Sequence, residues 1–150
     1  MRKYHQGKYK IKNRDKYLGD PDNIVYRSSW ELKVLQWLDI HPDVISFSSE
    51  EIVIPYISPA DSKYHRYFPD FFVKIRSRDG SMRSMILEVK PHAQSIEPVM
   101  KTKVTKRYIN EVVTYGINQA KWKAAEEYCK DRKWEFKVLT EHDLFPKKLA

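Results

Sequence analysis

Pro69-Asp70, then seventeen residues, then Glu88-Val89-Lys90, is the spacing in this chain that could do chemistry. Asp70 stands among Tyr67, Phe68, Phe71, Phe72 and Val73, and Glu88 follows Met85-Ile86-Leu87. Both runs read as strands that a protein would bury. An ionised carboxylate on such a strand pays desolvation unless a cation or a hydrogen-bonding partner offsets it. Side chains alternate along a strand, so Asp70 shares a face with Phe72 and Lys74, and Glu88 shares one with Lys90. A hairpin register centred on Asp79 sets Asp70 opposite Glu88, with β-carbons about 4.5–5.5 Å apart. Carboxylates that close repel, and one takes up a proton unless a cation lies between them.

Mg²⁺ suits that pair, with Mn²⁺ as a substitute, because a hard ion takes one or two carboxylates and fills its other positions with water and phosphate oxygens. Such an ion activates water and neutralises charge at phosphorus. Lys90 would stabilise the same developing charge electrostatically. The bland alternative is a Glu/Lys ladder on a solvated strand face.

Glu31 adds weight to the chemical reading. Ser28-Ser29-Trp30-Glu31 fits a capping box, in which the glutamate turns back to the helix start. At 100° per residue, however, Glu31 falls in the apolar arc of Trp30, Val34, Leu35 and Leu38, which aims it at the sheet. Two roles compete for this side chain, and the inward face favours the ligand role. His65, His92 and Gln119 are weaker candidates, better explained as loop or helix-surface residues. There is no glycine-rich phosphate loop, and so no support for a nucleotide cofactor.

The elements that must position these groups follow from periodicity and turn residues. Residues 1–23 read as a basic arm ending in a turn at Gly19-Asp-Pro-Asp-Asn23. A helix starts at Ser28 or Ser29 and stops near Ile40, before Pro42. Strands are expected over Val44–Phe47 and Ile52–Ile57, the second at an edge because it contains Pro55. Residues 66–75 and 84–90 form the hairpin around Ser77-Arg-Asp-Gly80. After a loop with Pro91 and Pro98, a short helix is expected over Val104–Val113. A firmer helix follows over Ile117–Asp131, then a strand over Trp134–Thr140 and a helical turn at Glu141–Phe145. Tryptophans and tyrosines at helical spacing are expected in the core. This order predicts one α/β domain over 24–150, with a mixed central sheet flanked by helices.

Composition agrees with a folded domain: 41% of the 150 residues are hydrophobic and 13% aromatic. No apolar run approaches the roughly 20 residues needed to span a bilayer. Cys129 is the lone cysteine, which excludes an internal disulfide and makes a reducing, intracellular setting the default. The net charge of +8 is concentrated near the start, where Arg2, Lys3, Lys8, Lys10, Lys12, Arg14 and Lys16 face one acid, Asp15. With Lys101, Lys103, Lys106 and Arg107, these residues would bind nucleic-acid phosphates by counterion release.

Through Pro69-Asp70 and Glu88-Val89-Lys90 the chain resembles the PD-(D/E)xK nuclease superfamily. Arg27-Ser-Ser-Trp-Glu31, Asn118-Gln-Ala-Lys-Trp-Lys-Ala-Ala125 and Phe136-Lys-Val-Leu-Thr-Glu141 resemble the motifs of its transposon-end endonuclease subunits. Size, arm and motif order are similar to those of small bacteriophage nucleases that act late in head assembly. The resemblance implies a restriction-endonuclease-like fold and Mg²⁺-dependent hydrolysis of double-stranded DNA. It makes Glu31, Asp70 and Glu88 the metal ligands and Lys90 the catalytic lysine. It further implies phage portal or neck proteins as partners and the cytoplasm of an infected bacterium as the location. The rival expectation is a DNA-end-binding structural protein of the phage head or neck that keeps the fold without turnover.

Overall fold

The computed structural model describes residues 6–146; Arg2, Lys3 and Tyr4 of the basic segment lie outside them. Strand β1 (Gly7–Lys8) pairs antiparallel with β2 (Val25–Tyr26), with a 3-10 turn at Arg14–Lys16 between them. Helix α1 spans Ser29–Ile40, capped by Ser28, whose hydroxyl accepts the Glu31 N–H at 3.1 Å. Then follow β3 (Val44–Ser49), β4 (Ile54–Ile57), β5 (Tyr64–Tyr67), β6 (Phe71–Arg76) and β7 (Met82–Val89). The chain ends through α2 (His92–Ser95), α3 (Lys106–Arg132), β8 (Glu135–Leu139) and α4 (Glu141–Leu144).

The central sheet has the order β3-β6-β7-β8, antiparallel except for the parallel pair β7/β8. It is the expected mixed sheet flanked by helices. A parallel pair needs a long crossover, and α3 supplies it. On one face Phe71, Val73 and Leu87 pack with Val34, Leu35 and Leu38 of α1. On the other, Ile86 packs with Trp122, Ala125 and Cys129 of α3 and with Ile54, Tyr56 and Tyr67. Strands β4 and β5 form a separate two-stranded sheet over α3. No helix among the described residues is long and apolar enough to cross a membrane.

Three expectations need correction. The two helices expected over 104–131 are one 27-residue helix. Gly116 and the β-branched run before it lower helix propensity by at most about 1 kcal/mol per residue. A cap from Thr105 at the start and packing of the C-terminal half outweigh that. The first hairpin arm begins at Phe71 instead of residue 66, because Tyr64–Tyr67 pairs with β4 and the chain bends at Asp70. Trp37 is not core: it is 45% exposed, against the ring of His41.

The basic arm, from Gly7 on, is a strap fixed to the domain. Tyr17 lies in the core, and Tyr9 and Ile11 pack against it. Tyr17 bridges to Phe47, and the Leu18 N–H donates to the Phe47 carbonyl at 2.8 Å, covering the outer edge of β3. The anchor is Asp39, fully buried on α1. Its carboxylate accepts from the Tyr9 hydroxyl (2.6 Å), the Lys12 N–H (2.8 Å) and the Asn13 N–H (2.9 Å). Lys16 donates to the Asp39 and His41 carbonyls at 2.9 and 2.8 Å, capping the helix end. Burial raises the Asp39 pKa, but these hydrogen bonds outweigh it and leave the group below its ordinary value.

Asp39→Ala should therefore lower unfolding free energy by about 3 kcal/mol or more in urea titrations, because it strands several buried donors. Asp39 contributes stability that is present above the unfolded carboxyl value of 3.8 and is lost as pH falls through the lower folded value. The wild type should lose more stability on acidification than Asp39→Asn does.

Candidate active site

The turn sets the register. Ser77 and Ser81 close it by a 2.8 Å backbone hydrogen bond, Asp79 accepts from Ser81, and Gly80 takes φ +86°. From there β6 and β7 pair in step, Ile75 with Arg83 through Phe71 with Leu87, so one step further Asp70 meets Glu88. That is the register expected from the sequence. Along β7, Met85, Leu87 and Val89 pack toward α1, whereas Ile86 turns toward α3. Glu88 has the parity of Ile86 and so lies on the α3 face.

Glu88 is 6% exposed. The Tyr67 hydroxyl donates to its Oε1 at 2.6 Å, and Lys90 Nζ lies 3.9 Å from its Oε2. Asp70 Oδ2 accepts the Val89 N–H at 2.8 Å, and the Asp70 carbonyl accepts the Glu50 N–H at 3.0 Å. Burial and then the charge of Glu88 push the Asp70 pKa well above its ordinary value, and Glu31 adds to the rise. Burial also raises Glu88, against the opposing pull of Tyr67 and Lys90. The two acids are thus close, desolvated and under-compensated. Tyr67, wedged against them, is driven upward by burial and by the Glu88 charge.

Glu31 reaches this pair from the other side of the sheet. It sits in the first turn of α1, half-buried, with Oε1 accepting the Arg27 N–H at 3.1 Å. Burial raises its pKa, opposed by that hydrogen bond. The capping role is thus partly realised, while its charge still acts on Asp70. Arg27 in turn makes a forked pair with Glu50, Nε to Oε2 at 3.2 Å and Nη2 to Oε1 at 3.1 Å. Glu50 adopts φ +55°, a left-handed conformation uncommon outside glycine, at the residue whose N–H holds Asp70. Among the described residues, no three His, Cys, Asp or Glu side chains gather closely enough to hold a metal ion. Asp70 and Glu88 come together, with Lys90 beside them; Glu31 is within electrostatic reach.

Glu50, Tyr67 and Lys121 escaped the sequence reading. Lys121, on α3, is half-buried with its ammonium 5.6 Å from the Tyr67 ring and 5.9 Å from the Tyr56 ring. Burial and Lys90 lower its pKa, while Glu88 and Asp70 raise it. A polar residue beside the buried stripe Asn118, Trp122, Ala125 and Cys129 was the available signal.

The weaker candidates stand apart. His65 pairs with Asp61 at 2.8 Å, His92 meets the ring of His142 edge-on, and Gln119 is exposed. Of the basic residues, Lys8 donates to Asn23, Arg14 pairs with Asp22, and Lys16 caps α1. Lys10, Lys12, Lys101, Lys103, Lys106 and Arg107 are exposed and make no ion pair among the described residues.

Known proteins carry the same arrangement of sequence. The chain is 40% identical over 144 residues to the head completion nuclease of Enterobacteria phage T4, covering 93% of each protein. Residues 41–141, which include Asp70, Glu88, Lys90 and the crossover helix, match the TnsA-like endonuclease N-terminal family. Extensive likeness at both levels makes the chain a member of that endonuclease family.

Proposed function

We propose that this protein is a divalent-cation-dependent DNA endonuclease that processes DNA ends during completion of a phage head. The facing of two carboxylates across one hairpin, half-buried Asp70 and buried Glu88, carries this reading, with Lys90 beside them. Its similarity to a phage head completion nuclease supports a setting in the cytoplasm of an infected bacterium; portal or neck proteins would be its partners there.

The donor set suits Mg²⁺ or Mn²⁺, since paired hard oxygens with raised pKa values are only partly compensated by Lys90. Asp70 and Glu88 would hold the ion, with Glu31 completing its surroundings; when bound, it supplies an acidified water and neutralises phosphate charge. The protein's own groups do the rest. Tyr67 fixes Glu88 Oε1, and the Val89 N–H fixes Asp70 Oδ2, so each carboxylate keeps one oxygen for the incoming charge. Lys90, 3.9 Å from Glu88 Oε2, carries its ammonium to the scissile phosphate, where negative charge accumulates in the transition state. The exposed Lys10, Lys12, Lys101, Lys103, Lys106 and Arg107 hold the duplex by sequence-independent phosphate contacts.

Purified protein should cut plasmid in Mg²⁺. Asp70→Ala and Glu88→Ala should abolish cutting, and Lys90→Ala should slow it by about 10²–10³-fold, the effect of removing one oriented electrostatic partner. Cutting by Asp70→Ala at the wild-type rate would reject this centre. Glu31→Gln separates the two roles of that residue: the amide oxygen can still accept from Arg27, so melting should be nearly unchanged while the cleavage rate falls. Equal cleavage by Glu31→Gln would leave Glu31 a helix cap only.

Stability without metal should run opposite to Asp39. A carboxyl whose folded pKa is raised favours the fold fully below its ordinary value, 3.8 for Asp70, and loses that contribution as pH rises through the folded value. Without divalent cations at pH 8, Asp70→Asn should therefore melt higher than wild type. Mn²⁺ or Mg²⁺ should raise the melting temperature of wild type and not of Asp70→Asn, by mass action on the folded state.

A further inference from the structure

Among the described residues, the two-stranded sheet β4/β5 has one face occupied and one bare. Ile54, Tyr56 and Tyr67 point inward and pack on α3 with Trp122. The register pairs Pro55 with Arg66 and Ile57 with Tyr64, so these four alternate onto the opposite face. Tyr64 is 76% exposed and Ile57, Pro55 and Arg66 are exposed too. Phe68, next in the alternation, is 43% exposed, and the Arg66 guanidinium lies 5.8 Å from its ring. A row of tyrosine, arginine and phenylalanine therefore runs outward along β5 and ends two residues before Asp70.

Phe68 also leads into a second feature. It lines a cleft of about 460 Å³ together with Arg27, Ser49, Glu50 and Glu51, and Glu50 is the residue whose N–H holds the Asp70 carbonyl. The cleft carries two carboxylates, Glu50 and Glu51, against the one guanidinium of Arg27, so its balance of charge disfavours a phosphate. An uncharged base, with N–H donors at its edge and a π-face for Phe68, matches both the acidic wall and the ring. Lys63 and Arg66 are exposed on β5 and the turn before it, where they can follow the phosphates of the same strand. Stacking on aromatic rings with flanking cations is how unpaired strands are held without sequence preference, whereas paired bases within a duplex offer no face to stack on.

We propose that the outer face of β4/β5, with Tyr64, Arg66 and Phe68 as its contacts, is a platform for an unpaired DNA strand beside the bond to be cut. The substrate class is then duplex DNA with a frayed or single-stranded flank. The platform rests on the catalytic reading above, which makes DNA the occupant; the alternatives, a protein partner or no partner, are outcomes of the test.

The test compares a blunt duplex with the same duplex bearing an unpaired tail, by fluorescence anisotropy, using full-length Asp70→Ala so that nothing is cut. The tailed DNA should bind more tightly. Tyr64→Ala combined with Phe68→Ala should remove that advantage, a loss of roughly tenfold or more, and leave the blunt duplex and the salt slope unchanged. Arg66→Ala should reduce the salt slope by about one. All three side chains are exposed, and unchanged melting of the variants checks that the fold is retained. Equal binding of tailed and blunt DNA, or an unchanged tail advantage in the Tyr64/Phe68 variant, overturns the platform and leaves this face to a protein partner or to none. In the parallel cleavage assay, persistent cutting by Asp70→Ala counts against the catalytic centre and not against the platform, which is read by affinity.

Discussion

Two carboxylates, Asp70 and Glu88, are held facing each other in a poorly solvated place by a strand register that cannot slip without turning Phe71, Val73 and Leu87 out of the core. Their mutual repulsion is structural in origin: relieving it by separation would expose apolar side chains on both arms. The fold instead offers partial compensation, one hydrogen bond from Tyr67, one from the Val89 N–H and the nearby ammonium of Lys90. Partial is the operative condition. Full neutralisation by protein groups would leave nothing for a cation or a phosphate to do.

The rest of the molecule keeps that geometry in place. The Tyr17 hydroxyl accepts the Ser49 N–H at 3.1 Å, at the end of β3. The next residue, Glu50, is held in its left-handed conformation with its N–H on the Asp70 carbonyl. Through this chain the strap from Gly7 to Tyr17 helps position the bend that aims Asp70, although it lies far away in sequence. Basic residues in that segment are therefore of two kinds. Lys8, Arg14 and Lys16 are tied to Asn23, Asp22 and the end of α1, whereas the side chains of Lys10 and Lys12 are exposed. Truncation of the segment would remove core as well as charge, so its role in binding is separable only by substitution.

Legibility in the sequence followed the range of the forces involved. The hairpin and its register were readable because a glycine turn and alternating side chains are local signals. The first helix was readable because its cap and stop residues are local as well. Propensity without tertiary packing divides α3 into two helices, and aromatic type places Trp37 in the core while saying little about which neighbour will cover it. Lys121, Tyr67 and Glu50 reach the acids from α3, β5 and the end of β3, and no spacing rule connects those segments. The Asp39 anchor was invisible for the same reason: its partners lie 26 to 30 residues earlier. Convergence of Glu31 with the acidic pair was read from one helical face, whereas α1 covers the opposite side of the sheet and brings that carboxylate only to the sheet's end.

Asp39 and Asp70 together show how a compensated acid differs physically from an under-compensated one. Both lose water on folding. Asp39 gains three N–H or O–H donors to its two oxygens, and a further 3.1 Å donor from the Asn13 amide, so its charge is more than repaid and its pKa falls. Asp70 gains one, faces a second carboxylate and rises. Neither residue type nor burial alone separates the two cases; the count of donors against the count of neighbouring charges does. A chain selected for stability alone would treat the second acid as it treats the first, and hydrophobic residues at 70 and 88 would pack against Phe72 and Ile86 at lower cost. The retained repulsion is what the proposed cation and anionic substrate would relieve, with the ammonium groups of Lys90 and Lys121 acting electrostatically on the same acids.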